Sequence, residues 1–259
     1  MKISIFQVDA FTSELFCGNP AAVCPLESWI DDKILQLIAY ENNLSETAFF
    51  VNENDGYRIR WFTPTCEVDL CGHATLASAY IIFNEIDSTV SNIKFFSNSG
   101  ELNVTRNSDL ISLDFPSLPP KISQNPENIY SAFNIKPNEV LEAEDYLLIY
   151  DNEKQIESIL PDLNVLRCID LRGVIVSSKG NDCDFVSRFF SPKYGIDEDP
   201  VTGSAHCTLI PYWSEKLRKK KLHAKQLSKR GGELFCEMKN DRVVISGKAA
   251  QYLRGEIEI

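Results

Sequence analysis

The chain has 259 residues, 44% of them hydrophobic and 24% charged, a balance that supports a large buried core and excludes a low-complexity or disordered polymer. Its 26 Lys and Arg against 37 Asp and Glu leave a net charge of −11, which opposes the counterion release that drives binding to nucleic acid or anionic lipid. Neither is an expected partner. The opening Met1 to Phe11 reads as no secretory signal, because Gln7 and Asp9 interrupt its apolar run. The best apolar run, Leu76 to Phe83, falls far short of the roughly 20 residues of a membrane helix. Eight cysteines without paired short spacing read as reduced thiols, which points to a cytoplasmic protein.

Taken in chain order, alternating apolar runs bounded by turn residues predict strands at Ile3 to Val8, Ala48 to Val51, Tyr57 to Phe62, Ile93 to Phe96 and Leu110 to Phe115. Further strands are predicted at Tyr146 to Ile149, Val174 to Ser177, Phe185 to Phe190, Glu233 to Met238 and Val243 to Ile245. Helical spacing covers Asp31 to Asn42 with Ser28 as its cap, Gly72 to Asn84, about Asn125 to Phe133, Asn152 to Leu160, and Gly203 to Lys219. The class is α+β, rich in antiparallel sheet. Pro116, Pro119 and Pro120 break both ladders and helices and suit a crossover. The chain therefore divides into residues 1–115 and 116–247, with the C-terminal strand at about 248–259 available to complete the first half. The basic run Lys216 to Arg230 reads as a helix C-terminus followed by a solvated edge strand.

A weak internal repeat links the halves: Arg60-Trp-Phe-Thr-Pro64 resembles Arg188-Phe-Phe-Ser-Pro192. An acidic loop follows each, then a glycine that opens a helix, at Cys71-Gly-His-Ala-Thr75 and at Thr202-Gly-Ser-Ala-His206. A helix start leaves backbone N–H groups unpaired and carries about half a positive charge. Two such starts facing one another would bind a carboxylate, or an oxyanion formed in a reaction.

Glu46 stands just before the apolar strand Ala48 to Val51, where partial desolvation makes a carboxylate a stronger proton acceptor. A solvated loop glutamate is the ordinary alternative. His73 is a proton relay or a plain helix-start histidine, and Asp199 either holds an ammonium group or caps a helix. Cys71, just before Gly72, has the position of an activated thiol. Racemisation by two thiols is disfavoured, because the matching place in the second half holds Thr202. With no metal-binding spacing among three histidines and eight cysteines, no metal is expected.

These residues carry a family resemblance. The chain resembles the PhzF family through Gln7-Val-Asp-Ala-Phe11, Gly18-Asn-Pro-Ala-Ala-Val23 and Asn43-Leu-Ser-Glu-Thr-Ala-Phe49. The pieces Arg60-Trp-Phe-Thr-Pro64, Glu67-Val-Asp-Leu-Cys-Gly-His-Ala-Thr75 and Asp197-Glu-Asp-Pro-Val-Thr-Gly-Ser-Ala205 match as well. The resemblance implies a diaminopimelate epimerase-like fold of two pseudo-symmetric halves, each a curved, mostly antiparallel sheet around a central helix. It implies an isomerase that moves a proton within a small amino- and carboxylate-bearing substrate, with no cofactor, in a homodimer. On that pattern Glu46 is the base, and His73 and Asp199 are its proton-handling partners. Ser45, Gly72, Gly203 and Ser204 would hold the substrate carboxylate, with Asn19 and Cys71 also lining the site. Two other readings remain: an amino-acid epimerase using Cys71, and a noncatalytic binder of small anions on the same scaffold.

Overall fold

A computed structural model describes residues 1–124 and 127–259. The chain forms two compact units: residues 1–114 with 246–259, and residues 115–245. Asn125 and Pro126, where one helix was expected to begin, lie outside the described residues.

The first unit opens with β1 (Lys2–Ala10) and β2 (Asn19–Leu26), paired antiparallel. Helix α1 (Asp32–Asn42) follows, capped by the Asp31 carboxylate on the Lys33 N–H and not by Ser28. Next come β3 (Glu46–Glu53), β4 (Gly56–Phe62), the two-residue β5 (Glu67–Val68) and helix α2 (Gly72–Ile81). The helical pattern expected to reach Asn84 instead leaves the α form after Ile81 and closes with one π turn, Ile82–Ile86. Then follow β6 (Asn92–Ser97), β7 (Gly100–Asn107) and β8 (Leu110–Pro116). β3 runs parallel to β2 and antiparallel to β4, and β4 pairs antiparallel with β5 and parallel with β6. α1 lays Leu35, Ile38 and Ala39 on a core that includes Cys24, Phe49 and Phe62.

The second unit contains β9 (Lys121–Ile122), α3 (Glu127–Tyr130), β10 (Glu139–Glu142) and β11 (Tyr146–Ile149). Short helices α4 (Glu153–Ser158) and α5 (Leu163–Leu166) precede β12 (Val174–Lys179), β13 (Phe185–Ser191) and β14 (Ile196–Asp199). Helix α6 (Gly203–Leu217), β15 (Lys221–Gln226), β16 (Gly232–Lys239) and β17 (Arg242–Gly247) complete it. The last strand, β18 (Ala249–Glu258), returns to pair with β1.

The repeat is present in the pairings. β10 to β16 reproduce, strand for strand, the pattern of β1 to β7: antiparallel, parallel, antiparallel, a short antiparallel return, a parallel neighbour, then a hairpin. Both copies carry the same clamp. Arg60 grips Glu67 through two bonds of 2.7 Å, and Arg188 grips Glu198 at 2.7 and 3.0 Å. Such forks are rigid, and each ties a long strand to the short one that delivers the chain to a Gly-led helix.

The basic run is not an edge strand. β15 lies between β13 and β16, with Leu222, Ala224 and Gln226 turned inward and the lysines outward.

Both Gly-led helices are buried nearly all round. In α2 the buried hydroxyls of Thr75 and Ser78 donate back to the carbonyls of Cys71 and Ala74, at 2.6 and 2.8 Å, so neither hydroxyl is stranded. In α6 Pro211 has no N–H to offer Cys207, and the Leu118 N–H takes that carbonyl instead at 2.9 Å. Among the described residues no helix is long and apolar enough to cross a membrane.

Candidate active site

Glu46 is placed by local chain geometry. Asn43 ends α1 in the left-handed conformation, φ 49° and ψ 36°, which asparagine tolerates better than most residues. This turns the chain sharply so that β3 begins at Glu46, opposite Ala21 of β2. The same register brings in Asn19, the first residue of β2, which is fully buried. Gly18 before it needs φ +65°, and a Cβ there would stand 2.2 Å from the Ala10 carbonyl oxygen.

The Gly72 helix start supplies the other half of the cluster. Cys71 is the extended N-cap of α2 and makes no side-chain cap bond, so the first N–H groups keep their capacity for an anion. His73, two residues on, points its ring between two partners. Its Nε2 is 3.1 Å from Glu46 Oε2, and its Nδ1 is 3.5 Å from Cys71 Sγ and 3.3 Å from Asn19 Nδ2. Ser45 donates to Asn19 Oδ1 at 3.3 Å and fixes that amide. The side chains of His73 and Glu46 are only 7% and 12% exposed. The 3.1 Å contact is poorly angled for a hydrogen bond, and both Glu46 Oε2 and His73 Nε2 are buried without a well-aligned partner. Native proteins leave few such atoms unmet, and a catalytic role is one recurring reason.

Burial opposes charge on His73, but the neighbouring Cys71 and Glu46 outweigh it and hold the imidazole pKa well above the ordinary value. Burial, reinforced by the Glu46 carboxylate, pushes the Cys71 thiol up, against the activation expected of a helix-start cysteine. Desolvation at 6% exposure exceeds the help from the helix end. Donor atoms of Glu46, Cys71 and His73 all lie within 4.8 Å of one another, a set of ligand types that zinc accepts. Glu46 and Cys71 address different ring nitrogens, however, so a single ion bound by both would need the ring or the thiol to turn.

The other predicted residues, Asp199, Gly203 and Ser204, belong to the second unit. Asp199, 8% exposed, ends β14, and its carboxylate accepts from the Thr202 hydroxyl. Thr202 is the extended N-cap of α6, again with no side-chain cap bond, and Gly203 and Ser204 form the first turn. Gln226 was missed by sequence reasoning. Its amide accepts from the Thr202 N–H at 2.9 Å and donates to the Asp199 carbonyl at 2.8 Å and to Thr202 Oγ1 at 3.2 Å. The available signal was a polar residue in phase with inward Leu222 and Ala224. No second thiol stands where Cys71 has its counterpart; Thr202 occupies that cap.

Comparison with known proteins places this arrangement. The sequence profile of the phenazine biosynthesis-like protein family, PhzC-PhzF, matches residues 8–255. The chain belongs to the PhzF family. An uncharacterized isomerase of Pseudomonas aeruginosa is 49% identical to this PhzF-family chain over 259 residues, covering 100% of both. The crystal structure of a PhzF family protein from Enterococcus faecalis matches with a TM-score of 0.97 at 45% identity, covering 100% of each chain. A hydroxyproline epimerase from Agrobacterium vitis shares the fold alone, at a TM-score of 0.63 and 9% identity, over 99% of this chain and 92% of that one. The architecture is thus the α+β, diaminopimelate epimerase-like fold of PhzF proteins, and the chain sits among PhzF-like isomerases.

Proposed function

We propose that the protein is a cofactor-independent isomerase that moves a proton within a small substrate carrying an amino group and a carboxylate, with Glu46 as the general base. The observation that carries this reading is the Glu46 carboxylate oxygen, buried, lacking an aligned hydrogen-bond partner, and 3.1 Å from the imidazole Nε2 of His73. A carboxylate with an open lone pair in a buried site is placed to accept a proton from a carbon brought against it. His73 steadies the charge before transfer and can carry the proton on. The start of α2 at Gly72, without a side-chain cap bond from Cys71, is suited to the substrate carboxylate. Asp199 is assigned to proton handling or ammonium binding, with Gly203 and Ser204 as carboxylate donors.

The test is deuterium uptake. The protein is incubated in D2O with a panel of cyclic unsaturated amino acids, and the products are read by mass spectrometry. Uptake is expected for at least one compound and is lost in Glu46→Gln, which keeps the shape of the side chain but cannot accept a proton. A Glu46→Gln variant of near-normal rate overturns the assignment. Binding that raises thermal stability without any exchange would favour the noncatalytic anion-binding reading.

A further inference from the structure

The reading above leaves Cys71 without a task, although its thiol is 6% exposed and 3.5 Å from the imidazole. The two ring nitrogens of His73 face different groups, Nδ1 toward Cys71 Sγ and Nε2 toward Glu46 Oε2. A thiol, an imidazole and a carboxylate in this order form a chain along which protons shift without change of net charge. Three arrangements share the same three mobile protons: carboxylate, imidazolium and thiol; carboxylic acid, neutral imidazole and thiol; and carboxylic acid, imidazolium and thiolate. The raised imidazole and thiol pKa values favour the first, and the Asn19 amide nitrogen, 3.3 Å from Nδ1 and a donor only, favours the second, in which Nδ1 accepts. Ser45 holds that amide in place. The second, independent observation is the pair of unmet atoms, Glu46 Oε2 and His73 Nε2, at the end of the chain where a proton would enter.

We infer that Cys71 is a positioning residue that stores a proton for Glu46 through His73, an inference that rests on the proposed role of Glu46. At rest the stored proton sits on sulfur and leaves Glu46 ionised. When a substrate C–H bond breaks, its electron pair stays on the substrate and its proton joins the array, which then holds four. The return step forms a new C–H bond with one of those four, and the array falls back to three. The groups acting on the thiol are the Glu46 carboxylate from β3, the His73 ring from α2 and the Ala74 backbone N–H.

The test needs no substrate. Methyl methanethiosulfonate transfers its methylthio group to a thiolate and releases methanesulfinate, and the mass of the peptide containing residue 71 gives the rate on the intact chain. Glu46→Gln removes the facing negative charge. With that charge gone more of the thiol is ionised, partly offset by the lower nucleophilicity of the thiolate, so the Cys71 rate is expected to rise about threefold. His73→Gln is expected to slow it, while exposed Cys66 reacts equally in all samples. Equal Cys71 rates in the three proteins overturn the inference. Where residue 71 resists the reagent throughout, the ring 15N resonances of His73 decide. Cys71→Ala is expected to move them and Cys71→Ser to restore them in part; resonances unmoved by Cys71→Ala overturn it. Deuterium uptake without this coupling refutes the thiol's role alone, and coupling without any Glu46-dependent uptake refutes the base.

Discussion

His206 offers a sharp test of burial energetics in the second unit. It lies on α6 fully buried, its Nδ1 2.8 Å from the Thr202 carbonyl oxygen, which fixes the ring proton on Nδ1. Its Nε2 is buried with no partner, so a second proton there would be a charge without an acceptor or water. Burial accordingly lowers its pKa from 6.5 to about 4, against a small opposing effect of the Thr202 bond. The unfolded chain therefore binds a proton between these two values that the folded chain refuses. Stability from this group is complete above pH 6.5, is lost as pH falls toward 4, and changes no further below that. Integrating the linkage between pH 7 and pH 5 gives a loss of about 2 kcal/mol. His206→Gln cannot titrate and removes this loss, whatever its own cost at pH 7, while every other titration cancels in the comparison. Hydrogen exchange of α6 peptides, corrected for intrinsic rates, measures the opening free energy at both pH values. Wild type and His206→Gln losing stability in parallel between pH 7 and pH 5 would refute the reasoning.

Gln226→Met strips partners from the Thr202 N–H and the Asp199 carbonyl; each stranded group costs about 1–3 kcal/mol, and hydrogen exchange should show the first turn of α6 opening before its C-terminal half. Gly18→Ala forces a side chain into φ +65° and against the Ala10 carbonyl, so the first unit should lose at least about 1–2 kcal/mol in urea unfolding; unchanged stability would contradict the tight turn. Arg60→Lys keeps the charge but loses the fork on Glu67 and the contacts over Trp29 and Phe62. A loss of about 1–2 kcal/mol is expected by thermal unfolding, with a smaller loss for Asp32→Asn, whose carboxylate is 71% exposed.

Tyr57 to Phe62 was legible because apolar and charged residues alternate along it, and Phe185 to Phe190 because it is a short, mostly apolar run, buried at nearly every position. β2 was not: Pro20 and Pro25 argue locally against a strand, yet it is held on both sides by β1 and β3. β15 was read as an edge strand, but long-range pairing to β13 and β16 places it inside the sheet, while the C-terminal strand expected at about 248–259 is β18, paired with β1. Ser28 failed as a cap for α1 because Asp31, three residues nearer the helix, reaches the open Lys33 N–H.

The candidate site divides in the same way. Glu46, His73 and Cys71 were recognisable locally, since a strand mouth and a glycine-led helix start each have a signature, whereas Asn19 and Ser45 came only with the family resemblance. That the imidazole stands between a thiol and a carboxylate, or that Gln226 braces Asp199 and Thr202 across 24 and more residues, has no local signature at all.

Residue order alone therefore determined the class of the fold and its duplication and singled out candidate acid–base groups, because these depend on periodicity and on short-range backbone preferences. Tertiary structure decided which of those groups meet, which atoms are left unmet, and how far burial moves a proton. Desolvation and hydrogen-bond geometry arise only when segments distant in the chain exclude water together.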